Sequence, residues 1–131
     1  MASVIFNSAI DYVVRGAIDF GDDAFSVMLC SSGYRANKNH SSTSDITDEV
    51  IGDGYDAGGV PVDVIVKRDA KNNCVDVLLG AARWSFATIT ARYGVYYHRD
   101  GELIAAIDFG KDIVSTDGTF SLSVSTLRFQ N

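Results

Sequence analysis

The second half of the chain reads as a succession of β-strands, and this restricts the fold more than any other feature. Between Val60 and Phe129, five apolar runs are separated by polar turns. The alternation is clearest over residues 88–97, where Ile89, Ala91, Tyr93, Val95 and Tyr97 share one face at period two. Val62, Val64 and Val66 line one face of a strand over 60–68, and Val75, Val77 and Leu79 line the next. Phe120, Leu122 and Val124 alternate with serines. The apolar parity then passes to Leu127 and Phe129, which demands a bulge or bend near Ser125 and Thr126. Upstream, residues 24–31 form a strand with Phe25, Val27 and Leu29 on one side. At least six strands with short turns predict an all-β fold, an antiparallel β-sandwich of which the jelly roll is one form. A chain of 131 residues fills one such domain, residues 1–131, with a real core.

The other segments are harder to place. In residues 3–16, Ile5, Phe6, Ala9, Ile10, Val13 and Val14 fit helical spacing, with Asn7 or Ser8 as cap and Gly16 as terminator. Residues 1–16 are thus an N-terminal helix or arm. Residues 33–45 are polar and aperiodic and predict one long exposed loop. Ser44, Asp45, Asp48 and Glu49 have the pattern of a capped helical turn. Four glycines between Gly52 and Gly59 then supply tight turns. Arg99-Asp100-Gly101 joins two long strands. A three-residue loop with Gly101 left-handed pairs His98 with Glu102, Tyr97 with Leu103, Val95 with Ala105 and Tyr93 with Ile107. Arg92 then falls opposite Asp108.

Charge and chemistry narrow the function. A net charge of −6, with Lys67-Arg68 the only adjacent basic pair, argues against a nucleic-acid partner. The acidity serves solubility, or a negative face for a basic partner. No apolar run nears the roughly 18 residues of a bilayer span, so no membrane partner is expected. The first residues lack a basic region followed by a long apolar one, so synthesis and folding in the cytosol are expected. Cys30 and Cys74 lie in predicted strands without metal-ligand spacing and read as buried free thiols. His40 and His98 are the only histidines, and no nucleophile motif accompanies them. The acids at 45–56 lack a calcium-loop pattern and suit capping and turns. No catalytic residue, metal ligand or cofactor site is assigned. The candidates are interface residues: Ile5, Phe6 and Ile10 in the arm, Tyr34, Asn37, Asn39 and His40 in the loop, and Tyr96. Tyr96 points opposite to Tyr93 and Tyr97 and is expected on an exposed face.

Four blocks carry a resemblance. Residues 44–59, SDITDEVIGDGYDAGG, are similar to an SDITNEVxGxGYxAGG segment. Residues 84–97, WSFATITARYGVYY, are similar to WxxxTITARYAVIY, and residues 103–110, LIAAIDFG, with Gly118-Thr119-Phe120 complete the order. Asp53 and Gly94 depart from the pattern without disturbing it. Together the blocks, spread over residues 25–122, resemble small virion structural proteins of tailed bacteriophages and prophages. The resemblance implies a non-enzymatic virion component made in the host cytoplasm. Its first form is a capsid decoration (cement) protein that binds the major capsid protein and copies of itself on the outer head shell. The alternative is a head–tail or tail component, such as a fibre-attachment or receptor-binding module. On the decoration reading, residues 3–16 and 33–45 are appendages expected to order mainly against neighbouring subunits.

Overall fold

Strands dominate the computed structural model, which describes residues 3–130. β1 (Val4–Ile5) and α1 (Asn7–Val14) lead into β2 (Phe25–Cys30), and a 3-10 turn at Thr43–Asp45 lies in the long connection to β3 (Val60–Val62). β4 (Val64–Asp69), β5 (Cys74–Leu79), β6 (Ala82–His98), β7 (Leu103–Leu122) and β8 (Ser125–Gln130) follow. They form two antiparallel sheets, one of five strands in the order β1-β7-β6-β2-β3 and one of three in the order β4-β5-β8. The all-β sandwich expected from the alternation is the fold.

The chain changes sheet at two short breaks. The strand expected over 60–68 is split at Asp63, so that Val62 belongs to the large sheet and Val64 to the small one. The Asp63 carbonyl accepts from the Gly80 amide at 2.7 Å, which holds the break against the start of the second crossing. The parity change near Ser125 has the same cause: β7 ends at Leu122 and β8 begins at Ser125 in the other sheet. The apolar period continues across the Asp63 break and changes parity across the one before Ser125, which is why sequence pattern shows the first as continuous and the second as a bend.

Two cores lie on the two sides of the large sheet. The main core joins both sheets through Val27, Leu29, Trp84, Ile89, Tyr96 and Ile104 on one side and Val77, Leu79 and Leu127 on the other. The second core contains Phe6, Met28, Cys30, Tyr34, Val95, Leu103 and Ala106. Here the sheet is covered by Val4 and Phe6 of the N-terminal arm and by the 33–45 loop, whereas Ala9 and Tyr12 of α1 pack with the main core. The expectation that these segments wait for a neighbouring subunit is therefore corrected, because both are anchored on their own chain. Phe6 is fully buried and is itself the N-cap of α1, which has no side-chain cap from Asn7 or Ser8. The helix ends as expected at Gly16, where Gly16 N–H donates to Val13 O and Ala17 N–H to Tyr12 O. The 3-10 turn begins earlier than its sequence pattern indicates. Ser42, not Ser44, caps it, and the Asp45 carboxylate accepts from the Ser41 and Ser42 amides.

Bulges decide which face of the β6–β7 pair each residue meets. The three-residue turn is present: Gly101 has φ +97°, His98 N–H donates to Glu102 O, and Tyr97 lies opposite Leu103. Beyond it the register slips by one. Tyr96 pairs with Ala105, Val95 with Ala106 and Tyr93 with Asp108, so the expected pairing of Tyr93 with Ile107 is wrong. The slip lets the neighbours Ile104 and Ala105 both enter the main core while Leu103 and Ala106 enter the second. A second shift between Ala91 and Tyr93 moves the apolar set of β6 across the sheet. Ile89 and Ala91 pack in the main core, whereas Tyr93, Val95 and Tyr97 face the second. Arg92 nevertheless meets Asp108 as expected, with Nε at 2.7 Å from Oδ1, and the acid is buried. Replacing Phe6 with Ala empties a filled site under the sheet and is expected to cost about 3–5 kcal/mol in urea unfolding of the isolated chain; an arm ordered only by a partner gives no change.

Candidate functional site

The interface residues named from sequence divide into two groups. Phe6, Tyr34 and Tyr96 are buried within the chain, which removes them from any surface. Tyr96 was expected to be exposed. The slip at Ile104 and the shift at Arg92 turn it into the main core instead. Tyr34 stands edge-on to Tyr93 with ring centres 5.5 Å apart, and its hydroxyl lies 3.5 Å from His40 Nδ1. Burial pushes its phenol up to about 12. Ile5 is half-buried beside Ala105, and Ile10 is exposed on α1. Asn37 and Asn39 are exposed; Asn39 Oδ1 accepts from Asn7 Nδ2 at 2.9 Å, which ties the loop to the helix. Asn37 and His40 line one shallow polar depression with Arg35, Lys38 and Asp45. The structure thus brings Asn37 and His40 to one concavity, with Tyr34 buried beneath His40 and packed in one core with Phe6.

The glycine-rich block forms a rigid strap along the sheet edge. Ser31 N–H donates to Asp48 O and Val50 N–H to Leu29 O, so residues 48–50 pair with the end of β2. The Glu49 carboxylate accepts from the Tyr55 hydroxyl at 2.6 Å and from the Gly58 amide at 2.7 Å. The Tyr55 hydroxyl in turn accepts from the Leu29 amide at 2.9 Å. Burial, then the Glu49 hydrogen bond, raises the Tyr55 phenol above its ordinary value. Gly59 has φ +74°, and a Cβ there would overlap the Val27 carbonyl, so only glycine brings the strap this close. Past Glu49 the strap crosses β6, where Thr88 N–H donates to Asp53 O at 2.9 Å.

This crossing presents large apolar side chains to solvent. Ile51 is 96% exposed, Phe86 80% and Val114 65%. Ile51, Thr90 and Val114 line one shallow depression, with Thr90 directly opposite Val114 in the ladder. Phe86 is exposed where β6 meets the strap, with its carbonyl against Gly54 and its backbone at φ +51° within a bulge of β6. A non-glycine residue at positive φ is uncommon, and here it turns an aromatic ring outward. Sequence reasoning missed these three residues. Phe86 departs from the alternation around it, and that irregularity was the available signal.

The second histidine is placed quite differently. His98 is buried at the β6–β7 turn, with Nε2 2.8 Å from Asp23 Oδ2 and Nδ1 3.4 Å from Glu102 Oε2. The Asp19 amide and then His98 hold the Asp23 carboxyl below its ordinary range. Among the described residues, His98, Asp100 and Glu102 are the one group whose donor atoms could face a common ion. The same contacts close the hairpin on the Asp19–Asp23 turn, and the ring packs edge-on against Phe25. Both cysteines are free and buried, and burial pushes the Cys30 thiol up to about 12. No described helix is long and apolar enough to cross a membrane. Searches of family models, curated proteins and solved structures found no match.

Burial raises the phenols of Tyr34, Tyr55, Tyr96 and Tyr97. Above the ordinary tyrosine value of about 10, the unfolded chain releases protons that the folded chain keeps, so stability falls as pH rises. Urea midpoints are expected to begin falling above roughly pH 8.5, where the unfolded chain's Cys30 thiol ionises, and to drop more steeply between roughly pH 10 and 12 as the phenols follow. Tyr55→Phe should make that fall shallower; an unchanged slope contradicts the assignment.

Proposed function

We propose that this chain is a non-enzymatic structural protein of a tailed-bacteriophage virion, a capsid decoration protein that binds and stabilises the outer head shell. Its partners on this reading are the major capsid protein and copies of itself, and its place is the virion. Neither a cofactor nor a nucleic acid enters the reading. The observation that carries it is the exposed apolar group at the strap crossing. Ile51 comes from the first block of the virion-protein resemblance and shares its depression with Val114; Phe86 comes from the second block and stands exposed where its backbone meets Gly54 of the strap. Exposed apolar groups clustered on a rigid surface mark protein–protein contacts. The rigidity comes from the Glu49–Tyr55–Gly58 bonds and the β6 ladder. A partner docking there meets backbone that is already ordered, which lowers the entropic cost of binding.

The test is co-sedimentation of purified protein with particles that lack it. Binding is expected to saturate on the order of hundreds of copies per particle, the stoichiometry of a shell lattice. Ile51→Asp and Phe86→Ser should each weaken binding about tenfold or more while leaving the circular dichroism spectrum unchanged. Saturation near a dozen copies moves the protein to the neck or tail. No binding, or full binding by both variants, overturns the proposal.

A further inference from the structure

We infer that the free edge of the small sheet is a self-complementary interface through which two copies of this chain pair, β4 against β4, into a continuous six-stranded sheet. The inference goes beyond the virion reading and is tested without it. In the sheet order β4-β5-β8, β4 has a neighbour on one side only. Ile65 on this edge is 54% exposed and Val66 43%. An unpaired edge with apolar side chains is a template for another strand, and the usual protections are a bulge, a proline, a covering loop or charges such as the Lys67 and Arg68 that β4 carries; those charges block pairing only where the partner brings like charge opposite them. β4 pairs with β5 in unbroken register from Val64↔Leu79 to Asp69↔Cys74 and contains no proline.

Hydrogen-bond phase selects which residues can make the contact. Asp63 accepts from Gly80 across the start of the β4–β5 ladder. Residues alternate along an antiparallel strand, so Asp63, Ile65 and Lys67 direct their backbone groups to β5. Val64, Val66 and Arg68 direct theirs to the open edge. A two-fold axis normal to the sheet keeps each residue on its own face, so only residues of equal parity can stand opposite one another.

Charge selects among the remaining registers. With Ile65 on the axis, Val64 of one copy pairs with Val66 of the other, which joins backbone groups that are both free. Asp63 then lies opposite Lys67, and this occurs twice by symmetry. Neither side chain has an ion pair within its own chain among the described residues. Moving the axis to Val66 sets Asp63 against Asp69, and moving it to Lys67 sets that lysine against itself. Like charges directly opposite are destabilising, whereas opposite charges stabilise a cross-strand pair. The Ile65-centred register is the one that matches apolar with apolar, acid with base, and free amide with free carbonyl.

Sedimentation equilibrium and cysteine trapping test this on the full chain. The native protein should show a reversible dimer below roughly 0.1 mM. Lys67→Glu, which opposes Asp63 with another acid, should weaken it about tenfold, and the charge-swapped double variant Asp63→Lys/Lys67→Glu should restore it. Ile65 faces its own copy in a non-hydrogen-bonded pair, with Cα atoms about 4.5 Å apart, within disulfide range. Ile65→Cys should therefore trap a disulfide-linked dimer on mild oxidation, against a low background from the buried Cys30 and Cys74. Val66→Cys should not. A native chain that stays monomeric at that concentration, a Lys67→Glu dimer as tight as the native one, or trapping by Val66→Cys in place of Ile65→Cys overturns the inference.

Discussion

The β6–β7 pair must be covered on both faces by a chain of modest length, and the rest of the structure follows from that. Leu103, Ile104, Ala105 and Ala106 are all fully buried. A strand with one wet face cannot bury four residues in succession; one enclosed on both sides can. The bulge at Ile104 sorts them, two to each core. One cover is the small sheet, reached through the breaks at Asp63 and after Leu122. The other is the N-terminal segment with the 33–45 loop, pinned by Phe6 and Tyr34. Each large apolar side chain buried under that second cover contributes about 1.5–3 kcal/mol, enough to hold a loop that has no periodic structure of its own.

Once both faces are filled, what remains for partners lies at edges and ends. The strap over residues 48–59 closes one end and is held by a carboxylate with two donors, Tyr55 and Gly58. Where it crosses β6 it leaves Ile51 exposed, and the adjacent bulge turns Phe86 outward. The small sheet leaves the β4 edge open at the opposite layer. These features stand on ordered backbone, which lowers the entropic cost of the docking proposed for them. The buried histidine, by contrast, is enclosed by Asp23, Asp100 and Glu102 and closes a hairpin.

Much of the fold was legible in the sequence. Strand alternation announced the sandwich, Gly16 ended the helix, and Asp100-Gly101 marked the turn. The pairing of Arg92 with Asp108 was also legible, although the register meant to produce it was not. Alternation records that successive residues point to opposite sides; it does not record a bulge that exchanges the sides. Hence Tyr93 and Tyr96 were assigned to the wrong surroundings. Phe6 and Tyr34 were misread for another reason. They are single anchors in segments without a periodic face, and their burial depends on a sheet formed by distant strands. Ile51 and Phe86 were missed because burial is the default for such residues, and their exposure is created by the strap and the bulge.

The account rests on one chain supplying both covers of the large sheet. Hydrogen exchange on the isolated protein tests this most directly. The amides of Phe6, Asn7 and Tyr34, which donate to Ile104, Lys38 and Ser31, should be protected together with those of Tyr93 and Val95, because opening the second core exposes them all. Exchange of the Phe6, Asn7 and Tyr34 amides at unprotected rates, beside a fully protected β6, would show that the second cover comes from elsewhere and would contradict the account.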